Sequence, residues 1–271
     1  MTQDSNKTYS MAIASGKGGV GKTSIALNLA YALHDLGHSL ILMDSDLGLA
    51  NLDVMLGVNP GRNLQDLLSP EIQAEDVILE LEPTGLHMLP SASGVADLVE
   101  MDEDVQDIIL GKLNTIFNRY DYLVLDLGAG IGPTVLAFAS MPQERIVVVT
   151  PEPTSLTDGY ALIKVLSSKY GIRHFQVIVN MAEDEREARR TFNRLNAACE
   201  QFIGHGVTWL GLVRQDKNLP EAIRRQKPLL RMAPDCPASE DIRKIASRLD
   251  RQRQDLMHLI AKSPILKAPA L

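Results

Sequence analysis

The stretch Gly16-Lys17-Gly18-Gly19-Val20-Gly21-Lys22-Thr23 decides the fold because of its flanks: the apolar run Met11-Ala12-Ile13-Ala14 before it, and Ser24 with a helical pattern after it. A G-x-x-x-x-G-K-[ST] loop that leaves a strand and enters a helix turns successive backbone N–H groups toward a triphosphate. Gly16, Gly18, Gly19, Val20, Gly21 and Ser24 supply that cradle, Lys22 reaches the β and γ phosphates, and the Thr23 hydroxyl ligates Mg²⁺. Ile25, Leu29, Ala32, Leu33 and Leu36 keep helical spacing and Gly37 stops it, so a helix is predicted over residues 22–36. Its N-terminal dipole adds to the same anion site. A glycine-rich turn that binds nothing would match the bare octapeptide, but it would not need a strand on one side and a helix on the other.

Lys17 is the sharper signal, since it comes too early in the loop to duplicate Lys22 on one nucleotide. In this the loop resembles that of the MinD/ParA class of P-loop ATPases, whose extra lysine crosses a dimer interface and touches the partner's nucleotide. The resemblance implies ATP and ADP as ligands, Mg²⁺ as cofactor and a homodimer formed with ATP.

At 271 residues and 45% apolar content the chain can bury a full core. No internal repeat or long Pro, Gly and Ser run marks a boundary, so one α/β domain over residues 1–271 is expected, with residues 1–9 flexible and residues 256–271 a free or amphipathic tail. No apolar run approaches the roughly 18 residues of a spanning helix, and the polar first ten residues lack a secretory pattern. The expected location is the cytoplasm, at most peripheral to the inner face of the membrane. Cys199 and Cys236 are far apart and lack C-x-x-C spacing. That argues against the nitrogenase iron protein and the Mrp-type cluster carriers, which share this loop but need cysteine ligands. The net charge of −7 hides an asymmetry: residues 1–150 hold 7 Lys and Arg against 20 Asp and Glu, and the remainder hold 20 against 14. A basic half can meet nucleic acid, anionic lipid or an acidic partner, or simply be solvated.

Leu40 to Met43 is an apolar run ending in Asp44-Ser45-Asp46, and Tyr122 to Leu125 is another ending in Asp126. Buried parallel strands deliver acids to a site at their carboxyl ends in this way. In a phosphate-loop enzyme the second acid holds the Mg²⁺ hydration shell against Thr23, although either aspartate would also serve as an N-cap. Further strands are expected at residues 146–149, 177–179 and 209–212, separated by helices over residues 156–168, 183–202 and 239–260. The alternation predicts a doubly wound, mostly parallel sheet with helices on both faces. Asn180, at a strand end, is placed either to recognise adenine or to form a turn.

Asp44 to Asp53 resembles the switch segment of MinD-type ATPases, Leu89 to Ser93 their central strand, and Asp126 to Ile131 their second acidic turn. The stretch Glu152 to Lys164 resembles the FlhG (FleN) branch, which governs flagellar number and placement. Together these likenesses imply that Lys17 acts in trans, that Asp46 orients the attacking water, and that Asp44 and Asp126 surround the metal. They also place Asn180 and Arg214 at the base and Asn51, Glu152 and Asp158 near the dimer face. Three features depart from the branch. Residues 1–10 do not resemble the helix that stimulates the GTPase FlhF, Arg214 stands where a proline is usual, and the tail lacks a Lys- and Phe-rich membrane helix. Expected partners are a second copy and a flagellar regulator or switch protein, with weak anionic-membrane binding and, less favoured, DNA. A division-site regulator and a DNA-partitioning ATPase are the competing readings.

Overall fold

The computed structural model describes residues 6–46, 52–63, 66, 69, 71–82, 85–90 and 111–267. Apolar runs without polar alternation become strands covered on both faces. They form β1 (Tyr9–Ser15), β2 (Leu40–Ser45), β3 (Leu79–Glu82), β4 (Leu86–Leu89), β5 (Tyr122–Ala129), β6 (Glu144–Val149), β7 (Gln176–Ala182) and β8 (Thr208–Arg214). Between and after them run α1 (Lys22–Asp35), α2 (Leu52–Leu56), α3 (Pro133–Ser140), α4 (Pro153–Tyr170), α5 (Glu185–Ile203), α6 (Asn218–Arg224), α7 (Leu229–Met232) and α8 (Pro237–Ile260), with a further helical stretch at 111–117.

The eight strands form one sheet in the order β3-β4-β2-β5-β1-β6-β7-β8, in which only the β3–β4 pair is antiparallel. Strand side chains alternate between faces. Met11, Ile13, Leu40, Leu42 and Val124 therefore pack under Leu29 and Leu33 of α1 and Ile242, Ile245 and Leu249 of α8. Ala12, Ala14, Ile41, Met43 and Leu125 pack on the other face, under Phe138, Leu162, Leu166 and Leu195. The sheet is doubly wound, as the alternation predicts. The chain leaves β1 for β2, past β5, and leaves β5 for β6, past β1. Neighbouring strands whose exits diverge open a crevice at their carboxyl ends.

Helix ends explain the boundaries. Proline at the first position starts α4 and α8. The Asp184 carboxylate caps α5 by accepting from Glu187 N at 2.7 Å, and Gly171 and Gly204, at φ 68° and 85°, end α4 and α5. The hairpin β3–β4 and the short α3, α6 and α7 lie outside the elements expected from periodicity. Each is too short to show a repeat.

The chain ends differ from expectation. Thr8 and Tyr9 are buried, so these two residues of the stretch expected to be flexible pack into the body. At the other end α8 stays docked to Ile260, and the following segment folds back onto the body with Ile265 and Leu266 buried. Ser10 Oγ donates to Ile265 O at 2.5 Å, Leu266 N to Asn114 Oδ1 at 3.2 Å, and Lys267 N to Met141 O at 3.0 Å. A free tail from residue 256 is therefore corrected through residue 267. Gln252 and Arg253 interrupt the apolar stripe of α8 in the sequence, yet Arg253 is itself buried. Its guanidinium donates to Asp121 O, Asp121 Oδ1 and Lys7 O at 2.9–3.1 Å.

Candidate functional site

The phosphate loop spans the turn between β1 and α1 with Gly19 at φ 79° and Gly21 at φ 83°, a region that only glycine adopts freely. A Cβ on Gly18 or Gly19 would meet nothing within 4 Å, so the loop faces open space on its outer side. On its inner side it is tightly packed. A Cβ on Gly16 would overlap the Asp158 backbone carbonyl in α4, and one on Gly21 would strike the Asn180 amide. Asn180 Nδ2 donates to Val20 O at 2.7 Å, so this residue clamps the loop from β7. Ser24 is buried, and its carbonyl accepts from Asn28 Nδ2 at 2.8 Å.

Lys22 is 7% exposed and its Nζ sits 3.0 Å from Oδ1 of the fully buried Asp126. Burial pushes the Asp126 carboxyl up, Lys22 and the Thr23 hydroxyl pull it down, and the charge of Asp46 pushes it up again. The other oxygen, Asp126 Oδ2, is buried and lacks a hydrogen-bond partner. A buried carboxylate oxygen without a partner is costly, and a hydrated Mg²⁺ would satisfy it. Hard oxygen donors from Thr23 and Asp126 fit that ion. Asp44 pairs in register with Asp126 on the adjacent strand. Its two oxygens accept from Asp46 N at 3.0 Å and Leu52 N at 3.3 Å, so it braces both ends of the segment between them. Asp46 lies beside Gly128, where a Cβ would stand 3.3 Å from its Oδ1.

Lys17 rests within its own chain. Its ammonium lies 2.6 Å from Glu152 Oε2 and 2.8 Å from Thr154 Oγ1, at the start of α4. Lys17, Glu152 and Asp158 thus cluster where the loop meets α4, and Thr154 is a member that sequence reasoning did not single out. No local signal reveals it, since the pairing spans 137 positions. Arg214 turns toward α8, with Nε and Nη2 held by Asp241 at 2.7 and 2.9 Å. Asn51 lies outside the described residues. Cys199 and Cys236 are buried free thiols, on α5 and just before α8.

Residues 6–250 match a family model described as "ParA: NUBPL iron-transfer P-loop NTPase". The chain is 38% identical over 240 residues to the antiactivator FleN of Pseudomonas aeruginosa, covering 89% of this chain and 85% of that protein. It is 36% identical to the flagellum site-determining protein YlxH of Helicobacter pylori, with 89% and 82% covered. Among solved structures it is similar to the septum site-determining protein MinD of Pyrococcus horikoshii complexed with Mg-ADP, at a TM-score of 0.72 and 26% identity, with 90% and 97% covered. With a phosphate loop in its structural setting and likeness along almost its whole length, this chain belongs to the ParA/MinD family of P-loop NTPases.

Proposed function

We propose that this protein is a Mg²⁺-dependent ATPase that alternates between a monomer and an ATP-sandwiched dimer and regulates flagellar number or placement. The Lys22–Asp126 pair carries the first half of the reading. A buried cation and a buried acid that hold each other beside an open glycine loop are a phosphate ligand and a metal ligand at rest. Lys22 would exchange Asp126 for the β and γ phosphates, freeing Asp126 to join Thr23 around Mg²⁺. Bound Mg²⁺ would neutralise charge on the phosphate oxygens. Asp46 would accept a hydrogen bond from the attacking water. Positioning and charge neutralisation supply most of the rate in such reactions.

Lys17 supports the dimer half. In cis its ammonium is occupied by Glu152 and Thr154 at the exposed rim, so it must leave them to touch a nucleotide across an interface. A cation supplied across an interface is worth about 10³- to 10⁵-fold in rate, which would couple dimerisation to hydrolysis. The flagellar assignment rests on likeness to FleN and YlxH over most of the chain. Candidate partners are a second copy and a flagellar regulator or switch protein. Membrane contact has less support, since Ile260, Ile265 and Leu266 are committed to the core.

The test uses size-exclusion chromatography with phosphate-release kinetics. Lys17→Ala is expected to bind ATP yet stay monomeric and fail to turn over, while Asp46→Ala should accumulate as the ATP dimer and hydrolyse slowly. A Lys17→Ala protein that dimerises and turns over normally would remove the trans role. Full single-turnover hydrolysis by Asp46→Ala would remove the water-orienting role.

A further inference from the structure

Asp44, Asp46 and Asp126 stand at the carboxyl ends of β2 and β5, to one side of β1 and its phosphate loop. A terminal phosphate lies toward those acids, so a sugar and base must extend the other way, over the ends of β6, β7 and β8. At the end of β7 the ladder breaks. Asn180 pairs with Val213 and Ala182 with Arg214, which leaves Met181 as an extra residue in a β-bulge. Bulges next to sites commonly re-aim a side chain.

Met181 has φ 57°, in the left-handed region, and among the described residues only Gln226 is another non-glycine with positive φ. Long side chains seldom occupy that region unless the surroundings hold them there. The side chain does not enter the core. It is 37% exposed, and its terminal methyl carbon lies 3.5 Å from where a Cβ on Gly21 would sit. A flexible, polarizable thioether thus stands partly exposed beside Gly21, where the phosphate loop meets the end of β7. Its neighbour Asn180 has its amide nitrogen committed to Val20 O, and Met181 adds an apolar contact at the same strand end.

We propose that Met181 is a shelf for the nucleobase, its thioether lying against the purine ring. Sulfur–aromatic contacts of this kind are favourable and tolerate irregular geometry. The inference rests on the ATP reading above, and its test separates the two. Calorimetric titration of the full chain with ADP and with inorganic tripolyphosphate, both with Mg²⁺, distinguishes base contacts from phosphate contacts. Met181→Gly is expected to bind ADP about 3- to 10-fold more weakly while binding tripolyphosphate as the wild type does. Its thermal midpoint should not fall, because glycine takes positive φ freely. Met181→Asn, another residue that tolerates the left-handed region, should show the same selective loss. Unchanged ADP affinity in both variants overturns the shelf, and so does an equal loss for ADP and tripolyphosphate, which would show the residue shaping the loop instead. A wild-type chain that binds neither ligand overturns the ATP reading and the shelf together.

Discussion

At the carboxyl ends of the strands, Ser45 Oγ, Asp126 Oδ2 and Thr150 Oγ1 are buried without hydrogen-bond partners, and Met181 holds a strained conformation. At the amino ends, the described charged groups are answered by partners. Arg253 stacks over Tyr122, 5.2 Å from its centroid, and grips Asp121, which also accepts from Ser39 N and Oγ at 3.0 and 2.9 Å. Glu144 takes Tyr9 Oη at 3.2 Å and His174 Nδ1 at 3.1 Å, while His38 and Tyr122 converge on Asp250. Asn118 Oδ1 and Trp209 Nε1 are the described exceptions near that edge. Buried polar groups left open cost stability and persist where a ligand completes them. The open polar groups at the carboxyl ends border the proposed nucleotide site, and the paired charges at the amino ends hold the fold.

The contrast is most sharply tested at Lys22. If it binds phosphate as proposed, removing it takes away charge-assisted bonds each worth about 1.5–3 kcal/mol. Lys22→Ala should therefore bind ATP about 10²- to 10⁴-fold more weakly, as read by equilibrium dialysis. Near wild-type affinity would mean that Lys22 serves only as the counter-charge of Asp126. At the opposite end, truncation after Asp255 deletes Ile260, Ile265 and Leu266 from the core. At about 1.5–3 kcal/mol for each buried side chain, the loss is roughly 4 kcal/mol or more, visible as a drop of about 10 °C in Tm. A truncated protein with an unchanged Tm would restore the free tail.

What could be read from the sequence was local. Gly16 to Thr23 shows its chemistry because glycine, lysine and threonine act there through backbone freedom and reach within one turn. The apolar runs that became β1, β2 and β5 could be read because burial on both faces leaves no other pattern. The rest depended on partners far along the chain. Arg253 looks like a break in an amphipathic helix until Asp121 and Lys7, 132 and 246 positions away, are beside it. The bulge at Met181 exists only in the register between β7 and β8. Lys17 could be read as unusual, but its resting place on Glu152 is set by how α4 docks against the loop.

Arg253→Ala sharpens the stability side. It removes three donated bonds and a stacked cation from a site 8% exposed, and leaves the Asp121 carboxylate with Ser39 and Lys7 as its remaining partners. Burial works against that carboxylate, yet Ser39, Arg253 and Lys7 together hold it below the usual range. The expected cost is about 2–4 kcal/mol, measured by urea denaturation, with ATP affinity unchanged. A loss of ATP affinity as large as the loss of stability would show that the two ends are coupled rather than separate.

The smallest expected effect is a pH dependence at His174. The hydrogen bond that His174 donates to Glu144 raises the imidazole pKa above its ordinary value, against the opposing pull of burial. A raised value in the folded state means that the protonated ring favours the fold. That contribution is complete below the unfolded value of about 6.5 and is lost as pH climbs through the folded one. The imidazole is 64% exposed, so solvent screening keeps the effect under about 1 kcal/mol. Thermal melts from about pH 6 to about pH 8 should show the wild-type Tm falling relative to that of His174→Gln, by at most about 3 °C. Glutamine can still donate to Glu144 but carries no titrating charge, so the difference isolates the proton. Parallel slopes for the two proteins would mean that the His174–Glu144 contact is only a surface hydrogen bond. The stability of the amino edge would then rest on Arg253 and its neighbours.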